Sequence, residues 1–220
     1  MSVGMIILGV AGLLVLFGVG QRVLDKMRLT DRQALLFIAL IMALGFVPEI
    51  PLGGNVWVNL GGAVVPLILC VYLFVKAGSA KEKVRSVVAA ILTGAAIYAM
   101  GRLLPDEPET MFMDPNYLYG IAAGVIAYVL GRSRRCAFIA GVTGMLLANI
   151  ANAVAVSAAG VDQRLVLGGA GVYDAVVISG FLAVLLAELV GELIERATRG
   201  KKRPQKEFVG GEFVDRRHDG

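Results

Sequence analysis

Apolar stretches of about the length that crosses a bilayer recur seven times in this chain, and that recurrence limits its fold more than any single motif. The runs fall at about 3–20, 34–50, 58–75, 86–104, 116–131, 136–158 and 170–195, the fifth being the shortest. A helix needs roughly 18 residues or more to cross about 30 Å of hydrocarbon. Every peptide group in that medium must be bonded within the protein, so helices are the expected solution. Composition agrees. The 220 residues are 57% hydrophobic and 17% charged, whereas a soluble domain is about half apolar and about a quarter charged. The fold class predicted is therefore all-α: a polytopic transmembrane helix bundle of about seven spans. The first run, VGMIILGVAGLLVLFGVG, has no positive region before it and no clear small-residue cleavage site after it. It reads as a retained helix rather than a signal peptide.

Basic residues set the expected orientation. Arg22, Lys26, Arg28 and Arg32 follow the first run; Lys76, Lys81, Lys83 and Arg85 follow the third. Arg132, Arg134 and Arg135 follow the fifth, and eight more follow the seventh, from Arg196 to Arg217. The alternate loops hold only Arg102 and Arg164. Lys and Arg are retained on the cytoplasmic side, so the N-terminus is expected outside and the C-terminus inside. That alternation requires an odd number of spans. The net charge of +4 then reports topology, and no nucleic-acid partner is expected. Residues 1–198 read as the transmembrane domain and 199–220 as a basic, disordered cytoplasmic tail. Its KKRPQK cluster is a positive-inside anchor or a contact for anionic headgroups. His218, in the same tail, reads as a solvated residue.

Several unusual polar positions fall at one depth, on the expected outer side. In PEIPLGGNVWVNLGGAVVPL, Pro48 to Leu67, prolines and Gly-Gly pairs bracket Asn55, Trp57 and Asn59. Such a segment is either an ordinary turn with an interfacial Trp or a broken segment folded back into the protein. In the sixth run Gly141, Gly144, Ala148 and Asn152 share one helix face, with Asn149 at its edge. Small residues permit close packing and Asn can bond across it. Asp174 follows Gly168, Gly169 and Gly171, and is placed in the first turn of the last helix. It is a helix cap or a functional intramembrane acid. Its expected partner is Asn149 or Asn152, because sequential spans joined by a short loop are antiparallel neighbours. Glu188 lies 14 positions on and projects from a similar face, a candidate for an ion pathway or a carboxylate snorkelling to the cytoplasm.

Enzyme signatures do not stand out. The sequence has no HExxH, Walker loop or nucleophile elbow. GGNVWVNLGG and GGAG lack the strand-helix-strand setting of a dinucleotide site. Cys70 and Cys136 read as small core residues without metal spacing. No metal or cofactor is expected.

Three stretches resemble a known family: VNLGGAVVPLIL (Val58 to Leu69), AFIAGVTGMLLANIANA (Ala137 to Ala153) and LGGAGVYDAVVISGFLAVLLA (Leu167 to Ala187). They are similar to prokaryotic integral membrane proteins of the domain-of-unknown-function family numbered 1614. The last is the most specific, and Asp174 falls on the family's acid. The family pattern also has an acid in the sixth span, where this chain has Asn149, Ile150 and Asn152. The resemblance implies a multi-pass protein of a prokaryotic plasma membrane and carries no activity with it.

Three functions follow as expectations. The first is binding or transport of a small solute, ion or lipid headgroup at a site lined by Asp174, Asn149, Asn152, Asn55, Asn59 and Trp57. The second is an intramembrane aspartyl protease, because VYDAV is similar to the Tyr-Asp motif of presenilin-like enzymes. That chemistry needs two carboxylates, and Asp114 is the other acid at that depth. The third is a non-catalytic scaffold or assembly factor acting through the tail.

Overall fold

The computed structural model describes residues 2–18, 20–53, 55–103, 114–199, 206–209 and 212–215. Most of KKRPQK and His218 lie outside the described residues. The chain divides into two units, Met1–Ala187 and Glu188–Gly220.

The first unit is built from helices α1 (Val3–Leu16), α2 (Gln21–Met27), α3 (Asp31–Gly45), α4 (Val65–Val75), α5 (Ala80–Leu103), α6 (Pro115–Gly131) and α7 (Arg134–Ala158), with the start of α8 (Ala170–Arg199). Local chemistry marks the helix starts. Ser2 and Ser133 accept the N3 amides of Met5 and Cys136, and Thr30 with Gln33 forms a capping box. Asp114 caps α6 ahead of Pro115. Arg28 and Arg132 adopt left-handed conformations that end α2 and α6.

The helices follow the seven apolar runs, but not all reach full length. Among the described residues, α5, α7 and α8 are long and apolar enough to cross a membrane. A fourth span arises if α1 and α2, bent by 99°, are counted together. The remaining runs give helices of 14 residues (α1), 15 (α3) and 17 (α6), and the run at 58–75 gives a π-helical stretch, Leu60–Val64, continuing into α4. At about 1.5 Å per residue these are shorter than the hydrocarbon thickness. The shortening at 48–59 has a visible cause: the Pro- and Gly-rich stretch leaves the helical path and forms strands.

Those strands are β1 (Ile50–Gly53) and β2 (Val56–Val58), joined by β3 (Leu165–Leu167) in a three-stranded sheet. β2 is central. It pairs antiparallel with β1, with a bulge between Pro51 and Gly53, and parallel with β3. The parallel pairing brings together two strands that each lead into a helix, β2 into the π-helical stretch and β3 into α8. The sheet was not expected from the apolar runs.

α7 forms the centre of the bundle, with twelve buried residues. The small-residue face predicted for it is divided between two neighbours. A methyl at Gly144 would lie 2.8 Å from Thr93 of α5, and one at Gly141 would lie 2.9 Å from the Ser179 carbonyl of α8. Gly120 and Gly124 of α6 meet Ala175, Ser179 and Leu182 in the same manner. Cys70 and Cys136 are buried free thiols within this core.

The end opposite the sheet is tied together by arginines. Arg135 donates to the carbonyls of Lys76 (2.9 Å) and Lys26 (3.2 Å), and Arg28 also donates to Lys76 (3.2 Å). Arg85 donates to Leu130 (2.9 Å). These carbonyls belong to the closing turns of α4, α2 and α6, where the helix dipole is negative. The Glu82 carboxylate lies 3.7 Å from Arg135 and accepts the Gly78 amide.

In the second unit, Arg196 pairs with Glu192 one turn before it (2.7 Å). Within the stretch read as a disordered tail, Lys206–Val209 and Glu212–Asp215 pair as antiparallel strands β4 and β5.

Candidate functional site: a buried Tyr-Asp pair among glycines

The site forms where bare backbones meet. The π-helical stretch lies directly on the end of α3: a methyl on Gly61 would sit 2.6 Å from the Gly45 Cα. Gly62 faces the turn before α8, where a methyl would lie 2.9 Å from the Gly168 carbonyl carbon. Gly168 is itself left-handed (φ 69°), and a methyl there would meet the Ala63 nitrogen at 2.6 Å. Gly62 and Gly168, one from each of the Gly-Gly pairs 61–62 and 168–169, therefore pack against each other because no side chain separates them.

Asn59 locks this junction. Its side chain is buried. Its Oδ1 accepts the Gly62 amide (2.8 Å), its Nδ2 donates to the Gly45 carbonyl (3.5 Å), and its own amide donates to Leu167 (2.9 Å). The carboxamide thus joins α3 to the π-helical stretch, and the main-chain amide of the same residue adds β3.

Tyr173 fills the slot that the glycines leave. Methyls on Gly4, Gly45 and Gly62 would fall 3.0, 3.3 and 3.1 Å from its ring. The ring is buried with Leu8, Ile41, Val65 and Val177, and its hydroxyl is buried without a partner. Asp174 is next in the chain and 6% exposed. Its Oδ1 accepts the amide of Gly4, 3.0 Å away, in the first turn of α1. The helix dipole and open amides at that terminus favour an anion.

This arrangement corrects two expectations. Asp174 is the fifth residue of α8 and lies outside its first turn, so it does not cap its own helix. Its partner comes from α1, not from α7. Asn149 is half-buried with its Oδ1 unbonded, and Asn152 is exposed. Neither contacts the acid, because the glycine packing draws α8 toward α1 and α3 at this end.

The other candidates fall in a separate layer. Asn55 is exposed and bonds Asp162. Trp57 is half-buried under Arg164, whose guanidinium lies 4.4 Å from the ring and 2.7 Å from Glu49. Glu188 belongs to the C-terminal unit and is half-buried there. Of the six candidates for one site, the structure joins Asn59 and Asp174 around one glycine junction, places Trp57 in the adjoining sheet and Asn55 just before its strand β2, and leaves Asn149 and Asn152 apart.

Sequence reasoning missed Gly4 and underused Tyr173. The only signal for Gly4 was a small residue just after the Ser2 cap. For Tyr173 it was an aromatic beside an intramembrane acid.

The family described as Protein of unknown function (DUF1614) matches residues 19–186. The chain belongs to that family. The match includes Asn59, the Gly-Gly pairs 61–62 and 168–169, Tyr173 and Asp174, and it starts after Gly4. No curated protein and no solved structure matches the chain.

Proposed function

We propose that this chain is a multi-pass protein of a prokaryotic plasma membrane that binds and passes a small cation, the proton included, at Asp174. Its seven apolar runs enter or cross the bilayer, with the N-terminus outside and the C-terminus inside. The basic loops support an arginine end at the cytoplasm. The sheet end and Asp174 then lie in the outer half.

One observation carries the proposal. Asp174 is the buried carboxylate among the described residues, and its bonded partner is a peptide N–H rather than a Lys or Arg. A carboxylate withdrawn from water without a countercharge is unfavourable. Binding a cation relieves that cost. The neighbouring π-helical stretch and short helices supply the irregular backbone that membrane ion sites use. The hydroxyl of Tyr173, the preceding residue, is buried and unbonded and adds a second oxygen to the junction.

The protease reading lacks such support. Asp114 is exposed and accepts the amide of Asn116 as a helix cap, so it is not the second member of a shared-proton pair.

Full-length protein reconstituted on a solid-supported membrane tests the proposal. A jump in proton, sodium or potassium concentration is expected to produce a charge displacement in wild type that Asp174→Asn abolishes. An equal displacement in the variant removes Asp174 from the role, and none in wild type removes the ion reading.

A further inference from the structure

The first turns of α5 carry a feature that the Asp174 site does not use. An open groove there is lined by Phe74 of α4 and by Lys83, Val84, Val87 and Val88 of α5. The valines are exposed, and the apolar surface continues through Ile91 and Leu92 on α5. Lys83 is half-buried at the groove, with its ammonium 5.7 Å from the centre of the Phe74 ring. Among the described residues it has no carboxylate partner. The nearest acid in sequence, Glu82, is engaged by Arg135 and the Gly78 amide. Lys76, at the end of α4, likewise has its ammonium over an aromatic ring, that of Tyr72. The groove thus joins an apolar channel to ammonium groups that no side-chain carboxylate of the described residues neutralises.

From this juxtaposition we propose that the α4–α5 groove holds an anionic phospholipid, with one acyl chain along Val84, Val87, Val88 and Ile91 and the phosphate on Lys83. The inference rests on the membrane orientation given above, which puts this end in the cytoplasmic leaflet. An acyl chain matches the exposed valines, because both are apolar and the groove runs along the helices. A phosphate matches Lys83, because an ammonium at the interface lacking a countercharge attracts an anion. A zwitterionic lipid fits the channel equally well but brings its own cation to the ammonium. Preference for the anionic lipid is therefore the distinguishing property.

A tryptophan placed in the groove reads this directly. Ile91→Trp in a Trp57→Phe background of the full chain is reconstituted with brominated phosphatidylglycerol or brominated phosphatidylcholine. The anionic lipid is expected to quench at about a fivefold lower mole fraction, the preference that one interfacial Lys confers. Lys83→Ala should erase that preference, while Lys81→Ala, exposed on the same turn, should preserve it. Equal quenching by both lipids overturns the site, as does equal loss from the two lysine variants. Quenching by neither lipid means that the groove does not face a bilayer, and it removes the membrane orientation along with the lipid.

Discussion

The two ends of the bundle are held together in opposite ways. At the sheet end, bare backbones pack closely: Gly61 against the Gly45 backbone, Gly62 against that of Gly168, and Gly4 against the side chains of Tyr173 and Asp174. At the other end, the helix termini are bridged by long guanidinium side chains, with Arg28, Arg85 and Arg135 reaching carbonyls of α2, α4 and α6. α7 runs between them, about 37 Å at 1.5 Å per residue. The glycine contacts have no slack, since a methyl group has nowhere to go. The arginine contacts act through flexible stems, and a lost bond leaves room for water or a neighbouring side chain. The difference suits the roles assigned. A buried carboxylate needs fixed surroundings, whereas an interfacial anchor needs only charge and reach.

If the comparison is right, substitutions should rank by end. Gly168→Ala is expected to do the most damage, about 3 kcal/mol or more, because it adds both a backbone clash and a left-handed alanine. Loss of folded protein on size-exclusion chromatography in mild detergent checks this. Normal yield and melting would show that the junction relaxes and is not rigid. Arg135→Ala comes next, at about 2 kcal/mol, since it strips charge-assisted bonds from two helix termini. Thermal unfolding should show the loss, with partial recovery in Arg135→Lys. A drop equal to that of Gly168→Ala would erase the distinction between the ends. Gly9→Ala should have the smallest effect, within about 0.5 kcal/mol and toward greater stability, because open space faces that position and alanine favours helix. A large loss there would mean that glycine matters throughout α1 rather than at the junction.

Much of this was legible in the chain, for identifiable reasons. Apolar runs report helices directly, because the pattern is long and needs no partner. Asp174 and Asn59 stood out because polar groups beside Gly-Gly pairs in apolar surroundings are costly. The partner of Asp174 was not legible. Sequential spans suggested α7, but the glycines of the π-helical stretch and of the 168–169 turn steer the start of α8 toward α1, 170 positions away in sequence. The sheet was hidden for a similar reason: strands of three and four residues have no readable period, and β2 meets β3 across more than a hundred residues. Helix length was also overestimated: the run at 34–50 continues past the end of α3 at Gly45 as far as Ile50 of β1, and the run at 58–75 takes in Val58 of β2.

The central claim is that the Asp174 carboxylate changes state when a cation binds. Infrared difference spectroscopy on full-length protein in lipid, perfused alternately with and without the cation that gives the charge displacement, addresses it most directly. The account predicts a carboxyl difference band in wild type that disappears in Asp174→Asn while the amide bands of the folded helices stay unchanged. The same carboxyl band persisting in Asp174→Asn would contradict it.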